Sequence, residues 1–211
     1  MRAHLAGWLV LLVVVLAQPP GQVAADTKFD LVAAPARFLR RATHAYTDEF
    51  PLGQVQNQAY GYLFPQGPFF LAGDLLHVPD WLIQRAWWWL LLGLAYSGAL
   101  VLARRVGIRG TFPQVLAAAV YALSPRILTT LTAISSEAWP VALVPWTLIP
   151  LTRRNPQVAP AVVAVACMGA VNATATIAAC LPAFVLLIAR RAYKAAGKFA
   201  VGAAAVSAWW I

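Results

Sequence analysis

Apolar residues form long runs along this chain, and short polar stretches separate them. A first run covers residues 5–17, and a series of further runs begins at residue 83 and continues to the last residue. Residues 18–82, between them, are rich in glycine, proline and aromatic side chains and hold six of the seven acidic residues. The pattern predicts one helix, a long polar loop, and then a bundle of further helices over residues 83–211.

The later runs differ in length. A bilayer core about 30 Å thick requires about 20 helical residues, and two runs reach that length, residues 83–103 and 112–131. Shorter runs predict tilted, broken or re-entrant helices. They are residues 138–151 with three prolines, residues 158–171 and residues 176–189. A last run starts near residue 199. Within the loop, the sequence PARFLRR at residues 35–41 predicts a short helix that lies along a membrane surface.

The composition indicates the class of protein. Of the 211 residues, 61% are hydrophobic and only 11% are charged, and the mean hydropathy is +0.69. A soluble domain of this size has no interior large enough for so many apolar side chains, so the sequence predicts an all-α integral membrane protein. The nine tryptophans suit side chains at the two membrane interfaces.

The distribution of charge predicts an orientation. The formal net charge is +9, but no nucleic-acid-binding motif accompanies it, so nucleic acid is not an expected partner. Basic residues concentrate in the loops 104–111, 152–157 and 190–198, which contain no acidic residue. Since cytoplasmic loops are rich in Lys and Arg, these loops and the N-terminus are predicted to face the cytoplasm of a plasma (inner) membrane, and residues 18–82 the periplasm. The basic loops would suit an acidic partner protein or anionic lipid.

The stretch VAADTKFDLV at residues 23–32 has two interpretations. The 13 apolar residues of the first run have the length of a signal-peptide core, and Val-Ala-Ala before Asp26 resembles a cleavage site. Alternatively, residues 5–17 form the first membrane helix. On both interpretations Asp26 emerges at the outer membrane surface.

Charged residues of this sequence suit a transfer reaction on a lipid-linked sugar. Asp26 and Asp30 are candidates for the general base that takes a proton from an attacking hydroxyl, and their spacing places them on one face if the segment is helical. Arg126, inside an apolar run, is a candidate for binding the donor phosphate, with Lys28 and Arg85 as weaker candidates. The alternatives are structural: acids that cap or solvate a helix, and an arginine that reaches the membrane interface or pairs with a carboxylate.

Amides and aromatic rings are candidates for holding the sugar. These candidates are Gln54, Asn57, Gln58, Tyr60 and Tyr62, with the carboxylate of Glu137 as a further candidate. The alternatives are an aromatic belt at the interface and, around Glu137, an ordinary helix cap or an ion pair with Arg126. The three histidines share no metal-ligand spacing, and both cysteines lie in apolar runs, so the sequence predicts no metal site and no disulfide framework.

Several strings of the sequence resemble one family. They are ADTKFDL, QNQAYGYLFPQGPFF, QRAWW, YALSPRILTTLTAISSEAWPVALVPW and GAVNATAT. Together they are similar to the N-terminal membrane region of the actinobacterial α-(1→3)-arabinofuranosyltransferases of the large "D" type, from about residue 5 onward. The resemblance implies a GT-C fold, a multi-helix transmembrane bundle whose first periplasmic loop carries interfacial helices. Because those proteins are far longer, this chain is expected to be an N-terminal piece.

The resemblance also implies a reaction. Decaprenyl-phosphoryl-arabinofuranose would be the donor, arabinan of arabinogalactan or lipoarabinomannan the acceptor, and the anomeric carbon would be inverted. In GT-C enzymes the base is typically an acidic residue of the first outer loop, which is the place of Asp26, with Asp30 second. No cofactor is implied, and a role for a divalent metal stays open. From the residues alone, a transporter or lipid-flippase module and a scaffold that docks a partner on the basic loops are the alternatives.

Overall fold

The computed structural model describes residues 2–26, 28–47, 52–55 and 59–210. Within these ranges the regular secondary structure is helical apart from one short antiparallel ladder, in which β1 (Tyr46–Thr47) pairs with β2 (Gln54–Val55). The all-α prediction is confirmed. The α-helices are α1 Arg2–Leu16, α2 Phe29–Ala33, α3 Pro35–Ala42, α4 Gln66–Leu75, α5 Asp80–Arg105, α6 Thr111–Ala122, α7 Pro125–Leu131, α8 Ser135–Leu151, α9 Val158–Ala166, α10 Ala173–Ala189 and α11 Tyr193–Ser207, with a 3-10 helix at Ala59–Leu63.

The 26-residue helix α5 is the centre of the bundle, and α1, α6 and α8 pack around it. Its Trp88, Leu91 and Leu92 are fully buried. Gly93 allows α1 to approach closely, because a Cβ atom there would lie 2.6 Å from the ring of Trp8. The predicted run 83–103 is therefore a real helix, and it extends a little further at both ends than the hydrophobic pattern indicated.

Helix α1 lies against α5 through polar as well as apolar contacts. Leu11 and Val15 are buried, and the Trp8 and Trp89 rings meet edge to face at 5.0 Å. The Trp8 indole N–H donates to the Ser97 hydroxyl at 2.9 Å. These contacts pack α1 into the bundle against α5.

The predicted span 112–131 is two helices rather than one. Helix α6 ends at Ala122 and α7 begins at Pro125, with a bend of 41° between them. Proline has no backbone N–H and disfavours a helical conformation in the residue before it, here Ser124, so the break has a local cause. Of the described helices, α5 alone is long and apolar enough to cross a bilayer by itself, and the bent pair α6–α7 reaches that length when taken together.

Helix α8 is continuous over Ser135–Leu151, whereas the sequence predicted a segment broken by its prolines. A proline inside a helix leaves the carbonyl four residues earlier without its usual donor. For Pro145 that carbonyl belongs to Val141, and the Tyr121 hydroxyl of α6 donates to it at 2.6 Å. The neighbouring helix thus replaces the missing hydrogen bond, which a reading of α8 in isolation cannot reveal.

The two ends of the bundle differ in the carboxylates that they hold, because the described carboxylates lie at one end only. At one end, Arg190 donates to the Leu151 carbonyl at 2.5 Å, which joins the loops after α8 and α10. We call this the basic end; its exposed cations are Arg2, Arg104, Arg105, Arg109, Arg153, Arg154, Arg190, Arg191, Lys194 and Lys198. We call the other the acidic end; its described carboxylates are Asp26, Asp30, Asp74, Asp80 and Glu137. The segregation predicted along the sequence is therefore also present in three dimensions.

Candidate active site

The carboxylate of Asp26 caps the first turn of α8 at the acidic end. The Ser135 backbone N–H donates to Asp26 Oδ1 at 2.6 Å, and the Ser135 hydroxyl donates to Asp26 Oδ2 at 2.5 Å. The residue in the usual capping position, Ile134, has no side-chain oxygen, so an acid 109 positions away along the chain supplies the cap. A negative charge is also favoured at a helix N-terminus.

The Ser135 hydroxyl is the centre of a buried network. It accepts hydrogen bonds from Gln66 Nε2 at 3.2 Å and from the Trp87 indole at 3.1 Å. A hydroxyl has one proton to donate and two lone pairs to accept with, so all three positions are used. Trp87 also stacks on Trp139, with ring centroids 4.4 Å apart. The network therefore joins α4, α5 and α8 to Asp26.

Burial decides the protonation behaviour of Asp26. The residue is 4% exposed, and removal from water raises the pKa of its carboxyl group above the usual value, while the hydrogen bonds from Ser135 oppose that rise. A carboxylate whose pKa is raised is a better proton acceptor near neutral pH. Each oxygen of Asp26 accepts one bond from Ser135, and a carboxylate has about four acceptor positions in all, so capacity for a further donor is left.

A second carboxylate lies on the same first turn of α8. Glu137 Oε2 is 3.3 Å from Arg126 Nη2, and Glu137 Oε1 accepts a 2.6 Å hydrogen bond from the Asn172 amide. Asn172 is also the N-cap of α10, because its side-chain oxygen accepts from the Ala175 backbone N–H at 3.1 Å. The Glu137 side chain is 22% exposed and that of Arg126 is 52% exposed. Glu137 is one of the two partners that the sequence suggested for Arg126, the other being the donor phosphate.

Asp30 has a different environment from Asp26. It forms an ion pair with Arg41, which connects α2 to α3. Asp26 precedes α2 and has a left-handed backbone with φ 37°, a conformation that Asp tolerates better than most residues. The segment from Asp26 to Asp30 is therefore not one helix, and the two acids do not share a helix face. Lys28, between them, is partly buried immediately before α2.

Arg85 faces the connection between α1 and α2. It is 4% exposed, donates to the Gln22 carbonyl at 3.3 Å and lies 4.5 Å above the Trp88 ring. Its other terminal nitrogen, Nη1, is buried without a hydrogen-bond partner. The adjacent Gln84 holds Ala24 through two hydrogen bonds of 2.9 Å each. The first turns of α5 thus fix the segment that carries Asp26.

The candidates for sugar contact are dispersed. Tyr60 is 40% exposed. Tyr62 is only 1% exposed, its ring packs edge-on against Phe38 at 5.7 Å and its hydroxyl is 3.4 Å from Ser136, so it is a core residue in this structure. Gln54 lies in β2, and Asn57 and Gln58 lie outside the described residues. Contact of these residues with a sugar stays a prediction.

Gln66 and Trp87 belong to the site and were not among the sequence candidates. Both occur in strings that carry the family resemblance, but neither shows a spacing that indicates a polar contact with Ser135. Their roles depend on α4 and α5 meeting at the start of α8, which is a tertiary property.

A large apolar cavity adjoins the polar cluster. Its volume is about 600 Å³, it lies between α9, α10 and α11, and its walls include Ile177, Leu181 and Phe184, with Tyr60 at its border. Val171 lines this cavity and also the small void beside Ser136, Gln66, Trp87 and Trp139. The polar cluster and the cavity are therefore neighbours. Among the described residues, no three His, Cys, Asp or Glu side chains are grouped so that they could hold a metal ion.

The fold and this site define a helical bundle of the GT-C glycosyltransferase class. The cryo-EM structure of the arabinofuranosyltransferase AftD from mycobacteria superimposes with a TM-score of 0.90 and 44% sequence identity, over 99% of this chain and 17% of that chain. A mutant of that protein superimposes equally well, with a TM-score of 0.90 and 42% identity. These values place the likeness well beyond a shared helical architecture.

The chain belongs to the family of the α-(1→3)-arabinofuranosyltransferase N-terminal GT-C domain, whose profile matches residues 10–211. It is 47% identical over 211 residues to an α-(1→3)-arabinofuranosyltransferase of Mycobacterium tuberculosis, which covers 96% of this chain. The protein of the same name from Mycolicibacterium smegmatis is 48% identical over 212 residues and covers 95% of this chain. The chain spans 15% of the length of each of these relatives. The resemblance inferred from the sequence strings is confirmed.

Proposed function

We propose that this chain is the N-terminal part of a membrane glycosyltransferase that transfers arabinofuranose from a polyprenyl-phosphate donor to cell-wall arabinan, in arabinogalactan or lipoarabinomannan. The proposal depends most on one observation: a buried carboxylate, Asp26, lies at the N-terminus of α8 in a polar cluster that adjoins an apolar cavity of about 600 Å³. A lipid-linked sugar needs both surfaces, since its chain is apolar and its reacting end is polar.

The membrane placement is supported by length and by charge. Helix α5 has the length and composition of a span. The basic end would face the cytoplasm, because Lys and Arg are enriched on that side, and the acidic end would face the periplasm. In this placement the protein is a multi-pass protein of the plasma membrane with a cytoplasmic N-terminus, and Asp26 lies at the level of the donor's phosphate.

The donor would lie along the cavity of α9, α10 and α11. Its polyprenyl chain would contact the apolar walls, and its phosphate would reach the cations of the acidic end. Arg126 is the best placed of these cations because its guanidinium is half exposed; Lys28 and Arg85 are the further candidates. Tyr60, at the cavity border, and Glu137 would contact the sugar, together with Gln54, Asn57 and Gln58 from the loop, whereas the buried Tyr62 would not.

The proposed chemistry is a single displacement with inversion. Asp26 accepts the proton of an acceptor hydroxyl, and that oxygen forms a bond to C1 of the donor arabinose. The bond from C1 to the phosphate oxygen breaks, and polyprenyl phosphate departs with the electron pair, stabilised by the cations. Asp30 is the second candidate for the base, and its carboxylate is already paired with Arg41. The proposal includes no cofactor.

The test compares Asp26→Asn with Glu137→Gln in the full-length protein, using labelled lipid-linked arabinofuranose and a synthetic arabinan acceptor. Asp26→Asn should abolish transfer, since an amide accepts no proton, while the protein still reaches the membrane in normal amount. Glu137→Gln should weaken donor binding but leave measurable turnover. Full transfer by the Asp26→Asn protein would refute the assignment of the base. Loss of turnover with Glu137→Gln alone would move the base to Glu137, and movement of donor lipid without any product would favour a transporter instead.

A further inference from the structure

A second apolar groove lies at the basic end, between the first turns of α9 and α11. Its volume is about 750 Å³. The apolar wall includes Val158, Val162 and Val163 of α9, and two cations of α11, Lys194 and Lys198, border it. This groove is separate from the cavity at the acidic end, because the two share no lining residue.

The shape of the groove follows from where the two helices touch. At Gly202 of α11, a Cβ atom would lie 2.6 Å from Val162, so the helices are in close contact there. Toward the basic end they are separated by the groove. Lys194 and Lys198 are four residues apart and therefore lie on one face of α11, one turn above the other. The two ammonium groups thus border the same side of the groove.

The electrostatic surroundings have one sign. Every described carboxylate belongs to the acidic end, and the loops that surround the groove contribute Arg153, Arg154, Arg190 and Arg191, all exposed. Within the described part of the chain, the recorded ion pairs involve neither Lys194 nor Lys198. Two ammonium groups beside an apolar groove, with no described carboxylate nearby, are complementary to an anionic ligand that also has an apolar part.

We propose that this groove binds an anionic phospholipid. The phosphate of the headgroup lies between Lys194 and Lys198, and one acyl chain packs along Val158, Val162 and Val163. An acidic protein surface would satisfy the lysines but would leave the apolar wall exposed, so a lipid fits both parts of the groove. The inference rests on the membrane placement proposed above and is independent of the transfer chemistry at Asp26.

The experiment measures lipid retention by the full-length protein. The protein is reconstituted in nanodiscs of equal parts phosphatidylglycerol and phosphatidylcholine, and the lipids that stay bound are identified by native mass spectrometry. The unmodified protein should retain phosphatidylglycerol selectively. Lys194→Gln with Lys198→Gln should weaken that retention about 30-fold, the effect expected for two cations near an anionic surface. Ala159→Trp, which fills the groove without changing a charge, should weaken it as well.

The matched control is Arg105→Gln with Arg109→Gln, which removes two exposed cations from the same end of the bundle but away from the groove; it should leave retention within about twofold. Equal loss in the control would show that retention reflects overall charge, and would overturn the proposal. Loss with the lysine pair but full retention with Ala159→Trp would indicate a headgroup contact or an acidic protein site, and would overturn it too. Asp26→Asn protein should retain the lipid normally, so failure of the transfer proposal is distinguishable from failure of this one.

Discussion

Removal of the Asp26 carboxylate should loosen the start of α8. In Asp26→Ala, the Ser135 backbone N–H loses its cap, which costs about 1 kcal/mol, and the Ser135 hydroxyl is left as a buried donor without an acceptor, which costs about 1–3 kcal/mol. The substitution also removes the cost of burying a charged group, which offsets part of this loss. A net loss of about 2 kcal/mol in the free energy of unfolding is expected, or about 4–8 °C in Tm for a chain of this length.

Asp26→Asn should be less damaging, and the network explains why. The amide oxygen can accept from either the backbone N–H or the hydroxyl of Ser135, but not from both in the present geometry. The amide N–H then finds no acceptor on the Ser135 oxygen, whose lone pairs already bind Gln66 and Trp87. The expected loss is about 1 kcal/mol. The order of stability is therefore unmodified protein, Asp26→Asn, Asp26→Ala, measured by tryptophan fluorescence during thermal unfolding of the purified chain in detergent.

The double variant Asp26→Ala with Ser135→Ala is the internal check. Without the hydroxyl there is no orphaned donor, so Asp26→Ala should cost about 1 kcal/mol less in the Ser135→Ala background than in the unmodified chain. Additive losses would show that the two side chains are not coupled. A Tm for Asp26→Ala equal to that of the unmodified protein would refute the capping argument itself.

The same carboxylate gives the chain a stability that depends on pH. Because burial raises the folded-state pKa of Asp26 above the value of 3.8 expected in the unfolded chain, the folded protein binds the proton more tightly. Its contribution to stability is then fully present below pH 3.8 and is lost as the pH rises through the folded-state pKa. Asp26→Asn should lack this part of the pH dependence. An identical pH profile for both proteins would contradict the burial of the charge.

Three further substitutions test helix packing, helix propensity and helix capping. Gly202→Leu should lower the Tm by several degrees, because the leucine side chain would clash with Val162 at the crossing of α9 and α11. Gly197→Ala, at a position with nothing within 4 Å, should raise the free energy of unfolding by about 1 kcal/mol through helix propensity. A destabilised Gly197→Ala protein would contradict the open environment at that position. Asn172→Ala should cost about 1 kcal/mol through loss of the α10 cap and should also raise the KM for the donor, because Glu137 loses its amide partner. Asn172→Ala with unchanged stability would show that the cap is dispensable.

The pattern of apolar runs predicted helices well where the helix depends only on its own local sequence. The run at 83–103 and the short helix predicted at 35–41 occur as α5 and α3, since length, composition and flanking charges are local properties. The errors concern proline. At Ser124-Pro125 the local rule applies and the helix breaks, whereas at Pro145 a hydroxyl from α6 replaces the lost donor and α8 continues. Which outcome occurs depends on a neighbour that the sequence does not identify.

In the candidate site, too, local sequence features indicated some residues and could not indicate others. Asp26 was identified through its position after the first apolar run, and Arg126 through its depth in an apolar segment, because both features can be seen along the chain. The network around Ser135 could not be predicted, since Asp26, Gln66 and Trp87 come from three separate segments that meet only in the folded chain. The condition for a helix face shared by Asp26 and Asp30 is not met, because Asp26 has a left-handed φ of 37° and α2 begins only at Phe29.

The dual position of Asp26, as helix cap and as proposed base, has a consequence for the reaction. A carboxyl group that has taken a proton carries a new O–H donor, and the nearest oxygen, Ser135 Oγ, already accepts from Gln66 and Trp87. Protonated Asp26 would therefore hold the α8 N-terminus less well than the carboxylate does, and the helix would favour release of the proton after each transfer. Burial raises the proton affinity of Asp26 and the cap lowers it, and in the proposed reaction the balance of the two would let Asp26 both accept a proton and return it.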